Sequence, residues 1–392
     1  MRRRALRLGV VAAVTAAATM ILAQPAHAAW AQAYVSGDVL HFSDAPDGTA
    51  NVNITARVSG KGILFDAQYV IVPSTGCSWP DADHTRVLCS GAVSLVEMHG
   101  GPGNDVMDVD LGGLFASIPD ILYGEAGDDT LLGGRGATSL WGGNGNDVMY
   151  GRGGGDGFVS HVVAEDGSDQ MYGGPGNDTV DYIERTAGVH ASLDGVVGDD
   201  GAPGEGDTIG ADIENIVASA YDDVLIGNNA DNRILACGGS NTVDAMGGND
   251  FIEEGDGLHC GLNNPIGPDV IIGGTGVDTA SYSRRSSGVT IDLDNVYDDD
   301  GAPGEGDSII DIENLYATEH NDVLTGNSGA NTLNGSYGND TIFGLGGDDT
   351  IFGEQGNDAL YGGDGADFID GGNDSDFCSL GLGGLTKVNC EP

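Results

Sequence analysis

From residue 100 onward, single apolar residues return at every ninth position, set among glycine and polar neighbours. The stretch GLGGDDTIFGEQGNDALY, residues 344–361, shows the unit twice: glycine at places one and four, aspartate at six, an aliphatic residue at eight. Clean copies fill 100–108, 124–159, 164–181, 227–253, 264–281 and 326–379. Weaker copies at 115–123, 218–226 and 317–325 lack the glycines but keep aspartate at place six. Place eight then reads Met107, Leu122, Leu131, Leu140, Met149, Phe158, Met171, Val180, Leu225, Ile234, Val243, Ile252, Ile271, Leu324, Leu333, Ile342, Ile351, Leu360 and Ile369; only Ala280 and Cys378 depart from a bulky apolar residue.

A period of nine fits neither an α-helix nor a plain alternating strand. Glycines at places one and four are expected to supply backbone angles closed to other residues, so the first six residues turn tightly. Places seven to nine then form a short strand whose middle residue points to one side. Two such units, one turn on each side, make a coil of eighteen residues, and stacked coils pile their inward residues into a thin core at about 4.8 Å per layer. The pattern predicts an all-β chain, a parallel β-roll.

Two other regions read differently. In residues 29–99, VNITARV, KGILFDA, YVIVP and VSLVEMH are strand-like runs between turn residues, which predicts a small N-terminal β cap. A larger duplication lies over the repeats: the segment from Gly173 recurs from Gly273, and residues 200–207 and 300–307 are identical. Within it Val189 with Leu193, and Val289 and Ile291 with Leu293, alternate as strands. These inserts are expected to add strands and an acidic loop, not separate domains. The chain thus divides into a leader (1–28), an N-terminal β module (29–99), a first repeat block (100–181), an acidic insert (182–217), a second block (218–281), a second insert (282–316), a third block (317–379) and a C-terminal cap (380–392).

The leader has a basic start (Arg2, Arg3, Arg4, Arg7), an apolar run from Leu8 to Ala23, and Ala26-His27-Ala28 as a cleavage signal. It reads as a secretory signal peptide, and no later segment has 18 consecutive apolar residues. Secretion makes the six cysteines half-cystines, with Cys77–Cys89, Cys237–Cys260 and Cys378–Cys390 as the local pairs. A zinc site is the alternative, but there is no C-x-x-C and the histidines are scattered. The Cys378–Cys390 bond would fold 380–388 over the open end of the core, as the last repeat of a solenoid requires.

Charge narrows the partners. Sixty-one Asp and Glu face 14 Lys and Arg, a balance that repels nucleic acid and anionic membranes and attracts cations. Glycine is abundant, at 69 residues, but without a three-residue period, so collagen is excluded.

GGPGNDVMD at Gly100, GGNGNDVMY at Gly142, GGPGNDTVD at Gly173 and GGDGADFID at Gly362 match G-G-x-G-x-D-x-U-x at every fixed place. The chain therefore resembles the hemolysin-type (RTX) calcium-binding nonapeptide proteins. That resemblance implies several Ca²⁺ ions bound between coils by place-six aspartates and carbonyls of the glycine turns. Carried onto this sequence, the metal-binding residues are Asp105, Asp129, Asp147, Asp156, Asp169, Asp178, Asp250, Asp269, Asp278, Asp322, Asp340, Asp349, Asp358, Asp367 and Asp376. Asp340, Asp358 and Asp376 form one row, Asp349 and Asp367 the opposite one, Asp129 and Asp147 a third. Thr138, Asn232, Asn241 and Asn331 at place six are expected to weaken or empty their sites. Carboxylates stacked about 5 Å apart repel by roughly 3 kcal/mol at an effective dielectric near 20, so folding should need the cation. Calcium suits such irregular oxygen cages better than magnesium, which demands an octahedron and keeps its water.

Three functions compete. A secreted calcium-binding protein with a structural or interaction role fits every feature. A calcium-stiffened adhesin or matrix element binding envelope or extracellular polysaccharide is the alternative. An RTX-type hydrolase or epimerase is the weakest reading: there is no H-E-x-x-H or G-x-S-x-G, and only 71 mature residues precede the repeats. The expectation is no enzyme. Glycine loops without a following Lys-Ser/Thr also exclude a phosphate cradle.

Overall fold

The computed structural model describes residues 31–36, 38–43, 53–59, 62–67, 71–73, 77–78, 80, 86–90, 93–111, 116–160, 167–255 and 267–391. The leader and Cys260 lie outside the described residues. No helix occurs among those described, so none is long and apolar enough to cross a membrane.

Strands of two to eight residues alternate between two faces of a parallel roll. On one face Leu315, Leu333, Ile351 and Ile369 are successive partners; on the other Leu324, Ile342, Leu360 and Cys378 are, each step eighteen residues. Every place-eight residue is buried, so the core is a double file of single side chains. This is the predicted β-roll.

One face is a single sheet from Val39–Ser43 to Thr386–Val388. Among the described residues the opposite face is three successive sheets, and each break falls at an acidic insert. After Thr179–Asp181 the chain forms His190–Ser192, which starts the second sheet beside Val224–Ile226. It then turns back, pairing Asp200 with Asp207 in antiparallel fashion, and Thr208–Ile209 closes the first sheet against Gln170–Tyr172. Asn215–Val217 rejoins the continuous face beside Thr179–Asp181. The second insert repeats this with Thr290–Asp292, Asp300 against Asp307, Ser308–Ile310 and Asn314–Tyr316. Each insert is a seam in the roll, filled by a buried tyrosine, Tyr182 or Tyr282.

The ends differ from the sequence reading. Leu95–Pro102 runs across the 99/100 boundary and pairs in parallel with Asp120–Ala126, while Asn53–Ser59 pairs in parallel with Val106–Asp110. The N-terminal strands therefore continue both faces of the roll. Ala31–Ser36 and Gly62–Ala67 pair antiparallel with Val39–Ser43 and Asn53–Ser59; Ile71–Pro73 lies beyond the first, Arg86–Ser90 and then Cys77–Ser78 beyond the second, and the Cys77–Cys89 disulfide links paired strands.

At the other end, 380–391 does not fold over the core. Thr386–Val388 pairs with Phe368–Asp370 at a step of eighteen and adds one more, degenerate coil, bonded through Cys378–Cys390. Lys387 stands at the inward place and donates from Nζ to the Cys378 carbonyl (3.3 Å), while Leu382 and Leu385 are exposed. A charged residue cannot extend the apolar file, so the file stops there. Cys237 is also disulfide-bonded; the pairing expected for it involves Cys260.

Candidate metal centre

The six-residue turns place carboxylates between coils. Left-handed backbone occurs at places two and four, as at Leu345 (φ 72°) and Gly347 (φ 109°). The expected left-handed angle at place one is absent, and its glycine has another cause. A Cβ on Gly344 would overlap both Asp349 Oδ2 and the Gly362 carbonyl oxygen of the next coil. Place one is kept bare because two oxygens converge on it.

An interior ladder residue ties three coils together, its side chain accepting from the coil before and its backbone N–H donating to the coil after. The N–H of Asp340 donates to Asp358 Oδ1 (2.9 Å), and that of Asp358 to Asp376 Oδ1 (3.0 Å). The other oxygen, Oδ2, is buried and has no hydrogen-bond partner among the described residues at Asp129, Asp156, Asp178, Asp250, Asp278, Asp340, Asp349, Asp358, Asp367 and Asp376. An acceptor buried without a donor is costly unless a cation meets it.

Followed amide to carboxylate, the expected residues fall into three ladders on the divided face and three shorter runs on the continuous one. Asp105, Asp129, Asp147 and Asp169 lead to Asp207 at the first seam. After the seam, Asp223 and Asn241 lead through Asp269 to Asp307. Asp322, Asp340, Asp358 and Asp376 form the third. The continuous face carries Asp156 and Asp178 on to Glu214, Asp250 and Asp278 on to Glu313, and then Asp349 with Asp367.

Not every member offers an open oxygen. Asp322 Oδ1 accepts from Val289 N–H and Thr318 Oγ1, and its Oδ2 accepts from Thr318 N–H. Asp269 Oδ2 lies 3.3 Å from the Arg285 guanidinium. Asn232 and Asn331 close their gaps internally: each side-chain amide donates to the carbonyl of Glu214 or Glu313 in the preceding coil. Thr138 Oγ1 donates to Asp120 Oδ2 (3.3 Å).

Glu214, Glu313, Asp207, Asp307, Asp120 and Asp223 were missing from the sequence-derived set. Their signal was present: each carboxylate stands two positions before a buried aliphatic residue, Ile216, Leu315, Ile209, Ile309, Leu122 and Leu225 respectively.

Burial pushes the carboxyls upward in the metal-free chain. Asp129 and Asp340 reach about 8, with their ladder neighbours adding repulsion, while Asp349 and Asp358 reach about 6. Backbone N–H donors oppose the rise without cancelling it. Hard oxygens only, buried and crowded, with a carbonyl of the next coil aimed at the same point, fit a calcium ion. Which carbonyl and carboxylate oxygens would hold it follows the ladder: Asp349 Oδ2 with the Gly362 carbonyl, and Asp358 Oδ2 with the Gly371 carbonyl.

Fold and site together define a calcium-binding repeat roll. The family model for the RTX calcium-binding nonapeptide repeat (four copies) matches residues 123–158, 161–182, 208–236, 238–257, 316–351 and 343–378. These segments are hemolysin-type RTX calcium-binding repeats. No curated protein matches the chain.

Proposed function

We propose that the chain is a secreted structural or interaction protein whose repeats take up Ca²⁺ between coils and fold as they do so. The observation that carries this is the ladder geometry. At Asp129, Asp349 and Asp358 one oxygen is spent on the preceding coil, and the other is buried, without a donor among the described residues, beside a carbonyl of the next. A bound cation supplies the positive charge that this arrangement lacks, cross-linking successive coils. The chain's own part is to hold the oxygens in register and exclude water. Outside the turns, stacked rings stiffen the rod: Phe343 lies on Tyr361 (4.9 Å) and Tyr150 on Tyr172 (5.0 Å). That stiffness supports an adhesin or matrix role on envelope or extracellular polysaccharide as a second reading, and no catalytic role is proposed.

Isothermal titration of the mature chain with CaCl₂ and MgCl₂ tests the reading. Several Ca²⁺ per chain with weak or absent Mg²⁺ binding is expected; equal binding of both ions, or none, defeats it.

A further inference from the structure

The seams break the pattern of the ladders in one respect. Between Asp269 and Asp307, consecutive members of one ladder, the space beside Oδ2 is filled. The Arg285 guanidinium, 1% exposed, lies 3.3 Å from Asp269 Oδ2 and 3.9 Å from Asp307 Oδ2. The same group meets Glu305 (2.9 Å) and the fully buried Glu254 (3.4 Å). It also lies over the ring of Tyr282, whose hydroxyl donates to Asp307 Oδ2 (3.0 Å). The first insert is built alike: Arg185, 5% exposed, meets Glu205 (2.6 Å) and donates from Nε to Ser160 Oγ (2.7 Å), again over a buried tyrosine.

A guanidinium and a calcium ion cannot share that gap. Both would neutralise the same oxygens, and the guanidinium is already there, covalently held and always charged. The seam residues therefore do not fit calcium, although the clean repeats on either side do. We propose that Arg285, and Arg185 in the first insert, are resident cations that take the place of calcium where the inserts interrupt the ladders. The seams are then cross-linked layers that no chelator can strip, dividing one face of the roll into three separately loaded blocks. This rests on the calcium reading of the repeats, but concerns the places that calcium does not enter.

The surroundings of Arg285 give the test. With the guanidinium gone, Asp269, Glu305 and Asp307 remain as carboxylates whose oxygens lie within 4.8 Å of one another, a cluster able to hold a metal ion. Native mass spectrometry of the calcium-saturated full chain should show one more Ca²⁺ on Arg285→Ala than on the wild type, and the wild-type number on Arg285→Lys. An Arg285→Ala chain that folds and carries no additional ion overturns the proposal. If that variant does not fold, hydrogen exchange of the wild type in EDTA decides. Seam peptides 282–293 and 300–310 should exchange at least tenfold more slowly than 326–379; equal rates overturn the proposal. A wild-type chain that binds no calcium at all would be a separate failure, that of the calcium reading, and an Arg285→Ala chain binding a single ion would still support the resident cation.

Discussion

Asp340 gives its backbone N–H to Asp358 Oδ1 at 2.9 Å, and Asp358 Oδ2, buried, receives no donor from any described residue. One side chain thus serves the coil before it and faces the coil after it. Asp358→Ala should therefore remove more than one ion's worth of binding, lowering the calcium count by one or two and raising the folding midpoint several-fold. Asp322→Ala is the control, because both Asp322 oxygens already accept hydrogen bonds; it should leave the calcium count unchanged while destabilising the turn by about 1–3 kcal/mol. Calorimetric titration of both variants checks this, and equal calcium loss from the two would refute the ladder.

Asn331 reports the reverse case. Its amide donates to the Glu313 carbonyl (2.9 Å) and holds closed a gap whose neighbours are Asp349 and Asp367. Asn331→Asp removes that donor and extends the row, so native mass spectrometry should find one additional Ca²⁺. In the absence of calcium the same variant should be less stable than wild type, since it adds another buried carboxylate.

Gly344 and Leu345 are adjacent and should respond to different degrees. Gly344→Ala drives a methyl group into the point shared by Asp349 Oδ2 and the Gly362 carbonyl, so it should destabilise the calcium-loaded roll by roughly 1–3 kcal/mol and remove an ion. Leu345→Gly relieves a left-handed angle in a side chain that is 53% exposed, and it should change stability by less than about 1 kcal/mol. Thermal unfolding in calcium separates the two.

Acid should partly replace calcium. In the metal-free chain Asp129 and Asp340 hold their protons up to about 8, and Asp349 and Asp358 up to about 6, mainly because they are buried. Folded-state values raised above the ordinary carboxyl value near 3.8 mean that the folded chain binds protons more tightly than the unfolded one. The stability they contribute is full below about pH 4 and is lost as pH rises through 6 to 8. In EDTA the far-ultraviolet β signal should therefore grow as pH falls from 8 to 5. Calcium affinity should fall over the same range, because protons and Ca²⁺ compete for the same oxygens. An EDTA sample whose β signal shrinks on acidification from 8 to 5 would contradict the sign.

How much of this was legible in the sequence depended on whether each place carries one role. Asp349 and Ile351 recur at a fixed step, so their row and the apolar file were readable from spacing alone. Glu214 and Glu313 were not, because 36 and 35 residues separate them from Asp178 and Asp278, and the turns before them lack the glycines. Glycine identity also hid two causes behind one letter. At place four it answers to a left-handed angle, at place one to crowding by oxygens, and only the folded chain distinguishes Gly347 from Gly344. The cap was misread because Cys378 and Cys390 announce a bond but not a register; Lys387 at the inward place shows that the last coil stacks flush.

The most direct measurement is circular dichroism of the mature chain titrated with CaCl₂ from an EDTA baseline at pH 7.5. Filling one gap orders the turns on both sides of it and prepares the next, so loading should be cooperative along the stack. Extracellular sites of this kind bind at roughly 10⁻⁴–10⁻³ M. The expected result is a largely disordered repeat region in EDTA and a sigmoidal gain of β signal within that range, poorly reproduced by equal Mg²⁺. A chain already fully β-folded in EDTA at this pH, with no further change on adding calcium, would contradict the claim that the cation completes the fold.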